Sequence, residues 1–334
     1  MNKTIYDVAR EAGVSMATVS RVINGTAVVK DETKAKVQAA IEKLGYRPNA
    51  VARGLASKRT KSIGVILPDV SDLFHAEVLR GIEDIATMYD YHIILANSDG
   101  KEKREIDLIG TMWEKQVDGL VFISDRITKE IVKTFEHAQL PVVLCATEDP
   151  EKRIPSVCID NEIAGYDVTR YLLHQGVKRI AFLGAAADHP VTVERKKGYL
   201  RALREAGLPQ DPTLILHAKD KGYQAGFQTA RYFLQTEEGA EAVVAASDEL
   251  ALGYLNVIRD RGGNAPEDVL VVGFDNTRLS TMVRPEMTTV AQPTYDLGAV
   301  AMRLLTKLLN DEPIHDYTVR LPHDITERAS TRRK

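Results

Sequence analysis

Cysteine is almost missing from this 334-residue chain. Cys145 and Cys158 are the only two, and both sit in apolar, strand-like runs. A disulfide-stapled secreted scaffold is therefore excluded, and no Cys or His spacing suggests zinc or a redox pair. Long uncharged apolar runs are missing as well, and no secretory leader is read at the start. The expectation is a cytoplasmic chain that neither crosses nor binds a membrane. The signatures H-E-x-x-H, G-x-S-x-G, the Walker loop and G-x-G-x-x-G are all absent, and the 8 histidines are scattered. A lone histidine is more often structural than catalytic, so neither an enzyme nor a cofactor is expected.

What is present is concentrated at the start. In residues 4–24, Ile5, Val8, Ala9 and Ala12 fall at i, i+3, i+4 and i+7, the stripe of an amphipathic helix. Gly13 can take the left-handed conformation that ends it, and Ser15 is a good cap for a second helix. In that helix Val19, Val22 and Ile23 point one way, while Ala17, Ser20 and Arg21 point away, with Met16 near the exposed start. A small residue, a hydroxyl and an arginine on an outward face suit base edges in a major groove. A third helix follows Asp31, with Thr33, Val37, Ala40, Ile41 and Leu44 inward and Gly45 as its stop. The pattern is a helix-turn-helix headpiece over residues 1–48. The bland alternative is any three-helix domain with a solvated face.

Charge favours the first reading. Residues 1–60 carry 11 Lys and Arg against 5 Asp and Glu, a balance of +6. The whole chain has 44 against 47, which leaves 33 against 42, or −9, for the remainder. A basic head on an acidic body directs an anionic partner to the head. Residues 49–60 read as a hinge that is helix-capable but short, and Gly54 weakens it further. It should order only with DNA and a second chain present. Leu55 is then an apolar side chain on a basic segment, as a minor-groove wedge requires. The alternative is a plain linker whose Leu55 packs on the domain behind it.

Beyond residue 61, short apolar runs at 63–67, 93–96, 120–123, 142–145, 180–183, 243–246 and 269–274 read as buried parallel strands. Helical patterns lie between them at 74–90, 102–116, 161–175, 194–206, 224–235 and 248–262. The fold class is α/β, with doubly wound parallel sheets. There are too many strands for one sheet, so two lobes are expected, 61–160 with 292–322 and 161–291 with 323–334. Ligands of such sheets bind beyond the carboxyl ends of the strands. Ser71, Phe74, Ser124, Arg195, Asp248 and Asp275 are the candidate effector residues, together with Asp69. Several of these could instead simply cap the next helix.

In the helix from Tyr295 to Asn310, Leu297, Ala301, Leu304, Leu305 and Leu308 form one face. The opposite face is read as Tyr295, Ala299, Met302 and Thr306, flanked by Asp296, Arg303 and Lys307. An exposed aromatic beside two cations fits a protein-docking patch with an anion site, to which a phosphoserine is suited, but the pattern alone favours the plainer reading, a solvated face with an incidental aromatic.

The head, the hinge segment Arg-Pro-Asn-Ala-Val-Ala-Arg-Gly-Leu (47–55) and the body together resemble the lactose-repressor family of bacterial transcription regulators. The resemblance implies a periplasmic-binding-protein-like core and a homodimer on a pseudo-palindromic double-stranded operator. It implies DNA contacts from Thr4, Ser15, Met16, Ala17, Thr18, Ser20, Arg21, Asn49, Leu55 and Ala56. Residues 292–308 and 81–89 are similar to the carbon-catabolite regulators of that family. That likeness implies carbon catabolite repression or activation with serine-phosphorylated HPr as corepressor. HPr would dock on Tyr295, Asp296, Met302, Arg303, Thr306 and Lys307, with Asp69 and Asp84. Glucose 6-phosphate or fructose 1,6-bisphosphate would be accessory effectors. One departure stands out: these regulators commonly have a basic residue after Pro-His, where this chain has Pro322-His323-Asp324. An acid there is expected to weaken the corepressor or its dependence on phosphate. The alternatives are a sibling repressor answering to a small sugar in the cleft, and a cytosolic sugar-binding receptor.

Overall fold

The structure, a computed structural model, describes residues 3–24, 28–46, 59–236 and 239–332. It divides into two units, 1–61 and 62–334. The hinge candidates Asn49, Leu55 and Ala56 lie outside the described residues.

The first unit holds α1 (Ile5–Ala12), α2 (Met16–Asn24) and α3 (Asp31–Leu44). Val8, Val19 and Val37, one from each helix, are fully buried together and packed beside Ala9 and Ala40. Gly13 (φ 66°) and Gly45 (φ 61°) end α1 and α3 in the left-handed region, where a side chain would be strained.

The second unit runs β1 (Ser62–Leu67), α4 (Leu73–Met88), β2 (His92–Asn97), α5 (Glu102–Glu114), β3 (Gly119–Phe122), α6 (Lys129–Ala138), β4 (Val142–Cys145) and β5 (Ser156–Ile159). It continues with α7 (Asn161–His174), β6 (Ile180–Gly184), α8 (Pro190–Glu205), β7 (Ile215–His217), α9 (Tyr223–Thr236), β8 (Ala242–Ala245), α10 (Asp248–Asp260) and β9 (Leu270–Asp275). It ends with α11 (Leu279–Met282), β10 (Thr288–Ala291), α12 (Thr294–Leu309), β11 (Thr318–Leu321) and β12 (Asp324–Thr326). One sheet has the order β11-β5-β4-β3-β1-β2, the other β12-β10-β9-β8-β6-β7. Every pairing is parallel except β10 with β12. The strand path changes sheet after β5, after β10 and after β11.

All seven expected strands are present, with ends shifted by a residue or two, but β2, expected to be buried, lies at the edge of its sheet with Ile94 and Leu95 exposed. Those of β3, β4 and β8 are buried at every position, because helices cover both faces of a parallel sheet. Helix α6 and strands β5, β7, β10, β11 and β12 escaped the apolar-run pattern. The helices lock by backbone contact. A Cβ on Gly81 would lie 2.0 Å from the Tyr295 carbonyl oxygen, and one on Gly298 would lie 2.0 Å from that of Val78, so α4 and α12 cross backbone to backbone. Gly165 and Gly198 serve α7 and α8 in the same way.

Candidate functional site

Three surfaces take shape from these elements. The first is the outward face of the head. Thr4 precedes α1 and bonds to the Asp7 carboxylate through its backbone N–H (3.0 Å) and hydroxyl (3.0 Å). Ser15 Oγ accepts from the Thr18 N–H (3.2 Å), satisfying a free donor at the start of α2. Met16, Ala17 and Arg21 are exposed, Thr18 and Ser20 half-buried, and Val19 faces the core. The helix thus offers an arginine, small groups and hydroxyls outward, a chemistry matched to base edges and phosphates.

The second surface is the outer side of α12 with α4 beside it. Tyr295, Asp296, Arg303 and Lys307 are exposed. Tyr295 donates its hydroxyl to Asp84 Oδ2 (3.2 Å), and Asp84 also pairs with Arg80 (2.9 Å). Among the described residues, neither Arg303 nor Lys307 forms an ion pair. They stand four residues apart on one helix face, two exposed positive charges side by side. Ala299, Met302 and Thr306 are corrections to the expected face, Ala299 being only 3% exposed within the first-lobe core. Met302 is 0% exposed and packs into the first-lobe core, while Thr306 is 5% exposed with its hydroxyl bonded to the Met302 carbonyl (2.9 Å). Wedged between α4 and strands β3, β4 and β5, α12 must bury a wide arc, and the exposed stripe narrows to Asp296, Arg303 and Lys307 with Tyr295 at its edge. Asp324 is exposed at the start of β12, its carboxylate accepting from the Ile325 N–H (2.8 Å).

The third is a cavity of about 560 Å³ lined from both lobes by loops at the carboxyl ends of β1, β2, β3, β6, β7, β8 and β9. A smaller cavity of about 70 Å³ adjoins it. Asp69, Ser71, Asp248 and Asp275 line the larger, and Phe74, Ser124, Arg195 and Asp275 the smaller. Several are already engaged. Asp69 Oδ1 accepts from the N–H and hydroxyl of Ser71, both at 2.8 Å. Ser124 bonds to the Arg126 backbone. Asp248 accepts from Thr277 and Thr289, and burial raises its carboxyl to about 6. Arg195 lies 3.4 Å over the Phe274 ring and donates to Asn161 (2.9 Å) and to the Ala246 carbonyl (2.7 Å); burial lowers it to about 10. Asp275 sits at φ 111° and accepts from Gln292 (2.6 Å). Burial raises it well above the usual carboxylate range, against the pull of Arg195.

The sequence reading passed over the residues that cross the cleft. Lys221 reaches Asp72 (2.9 Å), His189 reaches Asp125 (3.2 Å), and Arg126 reaches Asp188 (2.9 Å). Only their positions just after strands could have flagged them. His75 lies beneath Lys221, 2% exposed, with Nδ1 2.9 Å from the Asp69 carbonyl oxygen. Burial, then the Lys221 charge, lowers its pKa to about 4. A histidine held below its unfolded value of about 6.5 gives its full stabilising contribution above that pH and loses it as pH falls toward 4. The His75 ring proton resonances are therefore expected to hold their neutral positions at pH 5.5 and to titrate near 4. Titration near 6.5 would contradict the buried ring. No helix among the described residues is long and apolar enough to cross a membrane.

Residues 4–49 match the model for bacterial regulatory proteins of the lacI family, and residues 169–331 match a periplasmic binding protein-like domain. Catabolite control protein A of Priestia megaterium is 52% identical over 99% of this chain and 100% of its own length. Transcription regulator CcpA of Lactococcus lactis superimposes with a TM-score of 0.76 at 38% identity, over 81% of this chain and 99% of that one. The lac repressor dimer bound to operator and an anti-inducer superimposes with a TM-score of 0.89 at 25% identity, over 99% of each chain.

Proposed function

Since the chain belongs to the lacI family of bacterial regulatory proteins, a group of transcription regulators rather than enzymes, we propose that it grips a pseudo-palindromic operator as a homodimer under the control of a phosphoprotein. The coarse function is DNA-binding regulation of transcription in carbon catabolism. The finer reading is that serine-phosphorylated HPr docks on α4 and α12 and favours the DNA-gripping state. Arg303 and Lys307 carry this reading. Both are exposed, neither forms an ion pair among the described residues, and they sit on a helix whose other side is fixed by the Gly81 and Gly298 crossing. A phosphate brings up to two charges and three acceptor oxygens to such a pair. Docking shifts the population toward DNA binding only through a difference in affinity for the two states. The hinge then folds on DNA, with Leu55 as the wedge.

A second copy of the chain has a surface to cover. Strand β2, at the edge of its sheet, exposes Ile94 and Leu95, and nearby helices expose Met88 and Trp113. A cytoplasmic location belongs to the same reading. Glucose 6-phosphate or fructose 1,6-bisphosphate would enter the interlobe cleft. Their hydroxyls would meet Asp69 and Asp275, and their phosphate would meet Lys219 and Lys221.

The test is a titration of the full chain on operator DNA with HPr before and after serine phosphorylation. Only the phosphorylated form is expected to raise operator affinity. Equal effects from both forms would remove the phosphate site from the account.

A further inference from the structure

The interlobe cavity is bridged by the protein's own cation. Lys221 follows β7 in the second lobe, and its ammonium lies across the cleft against three groups of the first lobe. These are the Asp72 carboxylate at 2.9 Å, the His75 Nε2 at 3.4 Å and the face of the Phe74 ring, whose centre is 5.8 Å away. An acid, a ring face and a neutral imidazole acceptor are what a cation-binding pocket offers a ligand. Asp72 is only 19% exposed, so the pair is partly withdrawn from water and screened less than a surface bridge. The Asp72 Oδ1 atom also accepts from the Phe74 N–H (2.9 Å), which fixes the carboxylate at the start of α4. On the second-lobe side, the Lys221 carbonyl accepts from Ser247 (2.7 Å), so the loop carrying the lysine is held too. Two further pairs, Asp125 with His189 and Arg126 with Asp188, span the same cleft.

We propose that Lys221 acts as a built-in ligand, whose ammonium, seated on Asp72, Phe74 and His75, latches the two lobes together with no small molecule in the cleft. The lobe arrangement is then present before any effector arrives. A phosphate-bearing effector and Asp72 compete for one ammonium, so such an effector must break the latch in order to use Lys221. This last clause rests on the effector reading above, whereas the latch itself does not.

The test uses the full chain with neither DNA nor HPr, so its outcome is independent of the phosphoprotein reading. Amide hydrogen exchange is compared for the wild type, Lys221→Met and Asp72→Asn. Asparagine keeps an oxygen for the Phe74 N–H, while the Oδ2 acceptor that meets Lys221 becomes an amide NH2 and the ion pair is lost. In both variants, exchange is expected to speed up about tenfold at residues 72–76 and 220–223. It should also speed up at 124–126 and 188–190, which make no hydrogen bond or ion pair to either substituted side chain although Asp125 feels the Lys221 charge, and stay unchanged in β3 and β8. Acceleration confined to 220–223, or none, would overturn the latch and leave a local ion pair. If Lys221→Met does not fold, Asp72→Asn decides the matter alone.

Discussion

Gly298→Ala is expected to destabilise the chain, although alanine is the better helix former. Replacing a helix-interior glycine by alanine normally gains about 1 kcal/mol. Here the added Cβ would stand 2.0 Å from the Val78 carbonyl oxygen and 3.0 Å from the Ile82 nitrogen, and backbone cannot rotate aside as a flexible side chain does. Helices α4 and α12 must separate, and overpacking of this kind costs about 1–3 kcal/mol or more. With backbone as the obstacle the cost lies toward the upper end of that range, so the net effect is unfavourable by up to about 2 kcal/mol. Gly110, inside α5, is the control, because a Cβ there meets nothing within 4 Å. Gly110→Ala is expected to raise the denaturant midpoint and Gly298→Ala to lower it. Two shifts of the same sign would mean that the helices do not cross as described.

Arg303→Ala is expected to abolish the response to serine-phosphorylated HPr while leaving unassisted operator binding as it was. Arg303 is exposed and contributes nothing to the core, so the fold has little to lose. A charge-assisted bond to phosphate is worth about 1.5–3 kcal/mol, which corresponds to a loss of roughly 10- to 100-fold in affinity. Lys307→Ala should do less, because a point charge cannot form the paired bonds of a guanidinium. Calorimetric titration with the two forms of HPr checks this. The loss belongs to the phosphorylated form alone. An equal loss for both forms would make Arg303 a contact to the protein surface and not to its phosphate.

Much of the fold was legible because parallel strands buried on both faces read as unbroken apolar runs. Strand β10 shows where that rule stops. Thr288 and Thr289 look polar, yet both are 0% exposed. Their hydroxyls are satisfied internally, Thr289 by donating to Asp248 (2.6 Å) and Thr288 by donating to the Arg328 carbonyl (3.1 Å). Strand β12 is three residues long and antiparallel, and β7 and β11 are edge strands, so none needs a continuous apolar run. The head was legible for a different reason. Its helices are amphipathic about a small core, and the remaining face of α2 follows from the helical repeat. On α12 the same wheel misplaced Ala299, Met302 and Thr306. A wheel divides a helix into two halves, but this helix is covered by a helix and a sheet together. The latch was hidden because Lys221 meets Asp72 and His75, at the start of α4, only through tertiary structure, from a loop far along the chain.

Nuclease footprinting of a pseudo-palindromic operator tests the central claim most directly, with the full chain, with and without serine-phosphorylated HPr, and with Arg21→Ala alongside. Protection is expected over two symmetric half-sites, stronger with the phosphoprotein, and with base preference relaxed in Arg21→Ala. A chain that protects no bases under any of these conditions would contradict the account.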